Sequence, residues 1–177
     1  MVCSYLGETL HENITFQSDG LTLSGVFHAP DNRAGAEKLP AVVIMHGFGG
    51  HKDGPAQRWS TSQFPEWGYA CLNFDFRGCG ASEGPRGMVV PGEEIADCKA
   101  AIDYLASRPE VDPDRIALLG TSYGAIVAVC TAAEDGRAKA VIAQGGWGSS
   151  HRFFSELHHT EEAWKKFSDM IEDGRAK

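Results

Sequence analysis

The sequence predicts an α/β fold with a mostly parallel sheet, flanking helices and an N-terminal β-hairpin. Apolar, β-branched runs alternate with segments of helical periodicity over most of the chain. Two strand-like segments flank Asp19-Gly20, a dipeptide that is typical of a tight hairpin turn. Glycine-rich loops follow three of the apolar runs, as expected at the carboxyl ends of parallel strands.

The order of the elements supports this fold. The hairpin is expected in ENITFQS and LTLSGVFHAP, and the polar segment DNRAGAEK after it predicts a loop. Four apolar runs then predict strands that are buried on both faces of the sheet. These runs are PAVVIMHG, YACLNFDF, RIALLG and AKAVIAQGG. Helices are expected in PAQRWSTSQF, PGEEIADCKAAIDYLASRP and YGAIVAVCTAAEDG.

The helix expected in PGEEIADCKAAIDYLASRP has an amphipathic pattern. Glu93 and Glu94 suit its N-terminal end, where the helix dipole favours negative charge. The residues that share its apolar face are Ile95, Cys98, Ile102 and Leu105.

Composition excludes several classes of function. The net charge is −8 and no segment carries a basic cluster, so we expect neither a nucleic-acid partner nor an anionic membrane partner. No apolar stretch approaches the ~20 residues that cross a bilayer. The first residues do not resemble a secretory signal, and the five cysteines form no CxxC pair. We therefore expect a reduced, cytoplasmic protein with no metal and no organic cofactor.

The pattern G-x-S-x-G occurs twice, around Ser82 and around Ser122. A catalytic serine on a nucleophile elbow needs a strand before it and a helix directly after it. Ser122 has the apolar run IALL before it and the helical segment AIVAVC after it. Ser82 follows a glycine loop and precedes PRGMVVPG, which cannot start a helix at once. We predict that Ser122 is a nucleophile and that Ser82 supports its loop.

The motifs HGFGG, FDFRGCGASEG and GTSYGA, each after a predicted strand, resemble the α/β-hydrolase fold. The match is to its serine-hydrolase branch of small esterases, dienelactone-hydrolase-like enzymes and serine aminopeptidase-like enzymes, and it runs from about Ile14 to about Gly146. The resemblance implies an oxyanion hole formed by the backbone amides of Tyr123 and Phe48. It also implies that His46 supports the glycine loop.

The same resemblance implies that Asp75 and Arg77 brace neighbouring turns through an ion pair or through backbone hydrogen bonds. A nucleotide site is not expected, because HGFGGHKDG contains neither GxGxxG nor GxxxxGK[ST].

We expect two regions, a hydrolase core over 1–146 and a helical segment over 147–177 that could begin a lid. In the fold that the motifs resemble, an acid and then a histidine follow the nucleophile. The tail has no β-rich run to carry them, although it contains His151, His158 and His159 and the acids Glu156, Asp169 and Glu172. We expect His158-His159 to lie on a solvated face, and His151 to be the least unsuitable substitute.

We hypothesise that the chain is the N-terminal part of a longer hydrolase, so that its fold is C-terminally incomplete. The last predicted strand would then have an open edge, and the isolated chain would be marginal or prone to aggregate. The predicted function is hydrolysis of a small-molecule ester, thioester or amide through an acyl-enzyme on Ser122, weak or absent in these 177 residues alone. The alternatives are an aminopeptidase-like peptidase and a non-catalytic hydrolase-fold protein that binds a ligand.

Overall fold

The computed structural model describes residues 9–30 and 37–175. Cys3 and most of the predicted polar loop at 31–38 lie outside these residues. The chain divides into two compact units, Met1–Gly146 and Trp147–Lys177.

The first unit contains a six-stranded mixed sheet in the order β1-β2-β4-β3-β5-β6. The strands are β1 (Thr9–Ser18), β2 (Leu21–Pro30), β3 (Leu39–Met45), β4 (Ala70–Phe74), β5 (Val111–Thr121) and β6 (Ala138–Gln144). The helices are α1 (Pro55–Glu66), α2 (Pro91–Ser107) and α3 (Tyr123–Glu134). Strand β2 is antiparallel to β1 and β4, whereas the other neighbouring strands are parallel. The predicted fold class is confirmed.

The N-terminal hairpin turns at the predicted dipeptide. Asp19 and Gly20 both have positive φ angles, 47° and 80°. Two consecutive positive φ values define the type I′ turn, whose twist matches that of the flanking strands. This turn brings Ser18 opposite Leu21 and fixes the register of the hairpin.

The centre of the sheet forms the core. Residues Ala41 to Met45 of β3 and Ala70 to Leu72 of β4 are almost fully buried. Helix α2 buries Cys98, Ile102 and Leu105 as predicted, while its Ile95 is half-buried. The continuous apolar runs therefore mark strands that are covered on both faces.

Strand β6 differs from the prediction. It was expected to be buried, but Val141 and Ile142 are 37% and 47% exposed. The strand pairs only with β5 in the described part of the chain, so one of its edges is open. The predicted open edge is thus confirmed. The predicted burial of β6 is wrong, because α3 packs against the strand but leaves Val141 and Ile142 exposed. Aggregation of the isolated chain stays a prediction.

The second unit consists of α4 (Ser150–Leu157) and α5 (Glu161–Arg175). The Ser149 side chain caps α4 by accepting the N–H of Arg152, and Thr160 Oγ1 accepts the N–H of Ala163 at the start of α5. Aromatic rings join the two helices, with Phe154 stacked on Phe167 at a centroid distance of 5.4 Å. A lid role for this unit stays a prediction. None of the described helices is both long enough and apolar enough to span a bilayer.

Candidate active site

Ser122 alone connects β5 to α3. Its φ and ψ angles are 57° and −120°, and Asp19 is the other described non-glycine residue with positive φ. Such a conformation costs about 1–3 kcal/mol and occurs where the surrounding structure enforces it, most often at functional sites. Here the Ser122 N–H donates to the Gln144 carbonyl at 2.7 Å, and the Ser122 carbonyl accepts from the Ala125 N–H at 3.0 Å. The serine is therefore held at a sharp bend between sheet and helix.

The glycines on either side of Ser122 are required by close backbone packing. A Cβ on Gly120 would lie 2.0 Å from the Gly124 carbonyl oxygen. A Cβ on Gly124 would lie 2.5 Å from the His46 carbonyl oxygen. The pattern G-x-S-x-G at this junction thus lets β5, α3 and the end of β3 approach one another.

The glycine loop after β3 lies against Ser122. A Cβ built on Gly47 would be 3.1 Å from Ser122 Cβ and 3.6 Å from its Oγ. Next along the loop, Phe48 is 69% exposed, and its N–H donates to no described residue. The Phe48 ring meets the Tyr123 ring edge-on, with centroids 6.1 Å apart. The structure therefore brings together the three residues that the sequence selected.

His46 supports this loop, as expected. Its Nε2 accepts the Phe76 N–H at 3.2 Å, so the ring proton is on Nδ1, which donates to the Gly47 carbonyl at 2.8 Å. Burial lowers the pKa of His46, which favours this neutral form. Since both ring nitrogens are occupied by the protein backbone, His46 is not placed to act as a base for Ser122.

Ser82, in the second G-x-S-x-G segment, is a loop-supporting serine, as predicted. Its side chain is 1% exposed in the loop after β4. The hydroxyl donates to the Asp75 carbonyl at 2.5 Å and accepts the Ser24 N–H at 2.9 Å. These bonds attach the loop to β2 and leave no access for a substrate.

Asp75 joins the loops that follow β3 and β4. Its side chain is fully buried. Oδ1 accepts the Lys52 N–H at 2.6 Å, and Oδ2 accepts the Ala81 N–H at 2.9 Å. The predicted bracing role of Asp75 is confirmed, and its backbone partners were not evident from the sequence.

Arg77 braces the hairpin turn against α2. Its guanidinium donates to Asp97 through Nε at 3.0 Å and Nη2 at 2.6 Å, and to Asp19 at 2.9 Å. The neighbouring Asp97 raises the pKa of Arg77, so the guanidinium remains charged. The bracing role is confirmed. Asp97 was not selected from the sequence, although it lies three residues after Glu94 on the buried side of α2.

Glu94 was interpreted as an N-terminal acid that complements the helix dipole. The structure buries it to 2% exposure, and the Tyr123 hydroxyl donates to Glu94 Oε2 in a short hydrogen bond. Burial raises the pKa of Glu94 to about 7. Its spacing of four residues before Cys98, on the buried face of α2, is the signal that could have revealed this position.

The histidines of the tail belong to the second unit. His158 Nδ1 donates to the Phe154 carbonyl at 2.7 Å, and its ring stacks on Phe167. His158 is half-buried by this stacking, so the expected solvated face is wrong for His158, whereas His159 is exposed. His151 is exposed and packs edge-on against Trp164 at 5.2 Å.

Two tail acids that were considered for a triad form ion pairs with neighbouring lysine or arginine side chains. Asp169 pairs with Lys165 at 2.7 Å, and Glu156 lies 3.6 Å from Arg152. Over residues 9–30 and 37–175, no side chain is hydrogen-bonded to Ser122 Oγ. Within the same ranges, no group of three or more His, Cys, Asp or Glu side chains is arranged to hold a metal ion.

Comparison with known proteins places this chain in a family. A family model described as X-Pro dipeptidyl-peptidase (S15 family) matches residues 19–170. The quorum-quenching protein AidA of Acinetobacter baumannii is 36% identical over 137 residues, which are 75% of this chain and 42% of AidA. The match to the family model covers most of the first unit and most of the second unit.

Solved structures agree with this assignment. The hypothetical protein PA2218 of Pseudomonas aeruginosa matches with a TM-score of 0.82 and 30% identity, over 94% of this chain and 53% of that one. Est1E of Butyrivibrio proteoclasticus, solved with bound ferulic acid, matches with a TM-score of 0.69 and 28% identity, over 75% of this chain and 52% of that one. The chain spans less than half the length of AidA and about half of each solved structure. It belongs to the X-Pro dipeptidyl-peptidase (S15) family and has the α/β-hydrolase fold, of which these residues form a part.

Proposed function

We propose that the natural protein containing this chain hydrolyses an ester, thioester or amide of a small molecule through an acyl-enzyme on Ser122. The observation that carries the proposal is the positive φ of Ser122 at the junction of β5 and α3. A strained bend that presents a partly exposed hydroxyl has no evident structural purpose, and it is the arrangement that nucleophilic catalysis requires.

The oxyanion of the tetrahedral intermediate would be stabilised by the backbone amides of Tyr123 and Phe48. Tyr123 supplies the first N–H of α3, where the helix dipole favours negative charge. Phe48 supplies an N–H from the loop that lies against Ser122. Loss of one such donor typically reduces turnover by about 10²–10³-fold, so both loops matter for the rate.

Ser122 also needs a base. Because no described histidine is bonded to it, the proposal assigns the acid and the histidine of the triad to sequence beyond these 177 residues in the natural protein. The 177 residues alone would then hydrolyse substrate weakly or not at all. The relatives, which are about twice as long, support this assignment.

A fluorophosphonate tests the proposal, since it reacts with activated serines and leaves a stable adduct that can be mapped. The natural protein should be labelled on the peptide that contains Ser122, and Ser122→Ala should abolish labelling. Ser62→Ala is the matched control, because Ser62 is an exposed serine on α1, remote in sequence from both G-x-S-x-G segments. Labelling of another serine in the natural protein would refute the assignment.

A peptidase is the second candidate, and the match to the X-Pro dipeptidyl-peptidase family favours it. The ferulic acid bound to Est1E favours an ester. Both reactions would use Ser122, so a panel of acyl esters and X-Pro amides, assayed with the natural protein, distinguishes them by kcat/KM. A protein that binds such compounds without turnover would support the non-catalytic alternative.

We also propose a cytoplasmic location. The four cysteines in the described part of the chain, Cys71, Cys79, Cys98 and Cys130, are all free thiols. Unpaired, largely buried thiols are typical of a reducing compartment. Cell fractionation of the native host protein would test this, and recovery in a secreted fraction would contradict it.

A further inference from the structure

The geometry points to Glu94 as a positioning residue that holds the proposed oxyanion donor of Tyr123 through the tyrosine hydroxyl. The inference rests on the proposed function, since it gives Glu94 a task in the reaction at Ser122. Glu94 touches no reacting atom in this scheme, and it acts only through the tyrosine.

Tyr123 is fixed at both ends of its side chain. Its backbone directly follows Ser122 and begins α3. Its ring is buried and meets Phe48 edge-on at 6.1 Å, and its hydroxyl donates to Glu94 Oε2. A displacement of the hydroxyl would therefore move the first turn of α3 and the ring against which the glycine loop packs.

The hydrogen bond to Tyr123 is the main feature of the Glu94 environment. In the described residues its side chain makes no other hydrogen bond, although it is only 2% exposed. Asp97, one turn later, behaves differently, because it accepts the Arg77 backbone N–H and two guanidinium bonds. A buried carboxyl with a single partner destabilises the fold, so we attribute its presence to the position that it gives Tyr123.

The surroundings of Glu94 make its carboxyl group titrate near neutral pH. The titratable and charged groups that face it are Glu93 and Asp97 on α2, Arg77 and Cys79 on the loop after β4, and Tyr123 on α3. Burial is the main cause that raises the pKa of this carboxyl to about 7. The ionised carboxylate is the stronger acceptor for the tyrosine O–H, so the restraint on Tyr123 strengthens as pH rises through neutrality.

The rate of fluorophosphonate labelling at Ser122 in the natural protein, measured from pH 5 to pH 9, tests this inference. Glu94→Ala, which removes the acceptor, should label about tenfold more slowly at pH 8, less than the loss of a whole oxyanion donor. Glu94→Gln keeps an oxygen that accepts the tyrosine O–H. It should label within about twofold of the wild type at pH 8, but its rate should fall less steeply below pH 7. Tyr123→Phe should reproduce the effect of Glu94→Ala.

Glu66→Gln is the matched control, since it removes an exposed glutamate charge on α1 that is not among the groups facing Glu94. Wild-type rate and pH profile in both Glu94 variants would overturn the inference and leave the proposed function standing. If Glu94→Ala fails to fold, the steepness of the Glu94→Gln profile decides: a shallower profile supports the inference, and a wild-type profile overturns it. A wild-type protein that is not labelled at Ser122 would overturn the proposed function and this inference together.

Discussion

Two segments of this molecule share the pattern G-x-S-x-G and use it in opposite ways. Ser82 is buried, with a backbone N–H and a backbone carbonyl bound to its hydroxyl. Ser122 is partly exposed at positive φ, and its hydroxyl is bound to no described side chain. The pentapeptide supplies small residues in both places. What differs is the flanking sequence, which at Ser122 is a buried strand and a helix, and at Ser82 a loop around Asp75.

The largest expected effects come from replacing each of the two serines with alanine, because the two variants should fail in different ways. In the natural protein, Ser122→Ala is expected to reduce kcat by about 10³-fold or more, because it removes the proposed nucleophile. Its effect on unfolding should be small, since alanine keeps the backbone conformation and no side-chain hydrogen bond to a described residue is lost. Ser82→Ala should instead destabilise the fold by about 1–3 kcal/mol, because the Ser24 N–H loses a buried acceptor.

Steady-state kinetics and denaturant unfolding of both variants in the natural protein test whether Ser122→Ala loses turnover and Ser82→Ala loses stability. A Ser82→Ala protein that is as stable as the wild type would contradict the structural role of Ser82. A Ser122→Ala protein with wild-type turnover would contradict the proposed nucleophilic role of Ser122.

The second prediction concerns Gly120, the glycine before the bend at Ser122. Gly120→Ala should destabilise the protein by at least about 3 kcal/mol, because its Cβ would overlap backbone atoms that cannot move independently. Gly92→Ala on α2 is the control, since a Cβ there meets nothing within 4 Å. Thermal melting of the two variants should differ by several degrees. Equal melting temperatures would mean that the junction is looser than its packing indicates.

The third prediction concerns the Ser82 loop. Asp75→Asn places an amide group opposite one of two buried backbone N–H groups, so we expect a loss of about 1–3 kcal/mol in unfolding free energy. Asp53→Asn, at a half-exposed carboxyl in the loop after β3, should change stability by less than about 0.5 kcal/mol. Urea denaturation measures both. If the two variants are equally stable, Asp75 does not hold the loops together.

The last prediction is a pH dependence of stability on the Ser122 side, caused by Glu94. The pKa of Glu94 is raised to about 7 in the folded protein from the ordinary value of 4.5, so the folded state binds a proton that the unfolded state releases between these values. Stability should therefore fall as pH rises from about 4.5 to about 7, by on the order of 3 kcal/mol. Glu94→Gln should lack this decline. Parallel unfolding curves at pH 5 and pH 8 for the two proteins test it, and an identical decline in both would assign the effect to another group.

Residues whose conformation depends on neighbours in sequence were predictable. The hairpin turn at Asp19-Gly20 follows from residues that tolerate positive φ, and the strand-serine-helix order around Ser122 follows from hydrophobic periodicity. The largely apolar runs of β3 and β4 indicated strands covered on both faces. The role of Asp75 came from the resemblance to a known family, because nothing in its local pattern identifies the backbone N–H groups that it binds.

The sequence by itself determined the kind of elements, their order and the position of the bend at Ser122, because each of these is encoded in adjacent residues. Tertiary structure decided that Glu94 faces Tyr123, that Ser82 is buried against Ser24 and that β6 is exposed. These outcomes depend on which segments the sheet order β1-β2-β4-β3-β5-β6 brings together. Burial and partners of a polar side chain are set by residues 29 or 58 positions away, and no local period or turn preference records such a distance.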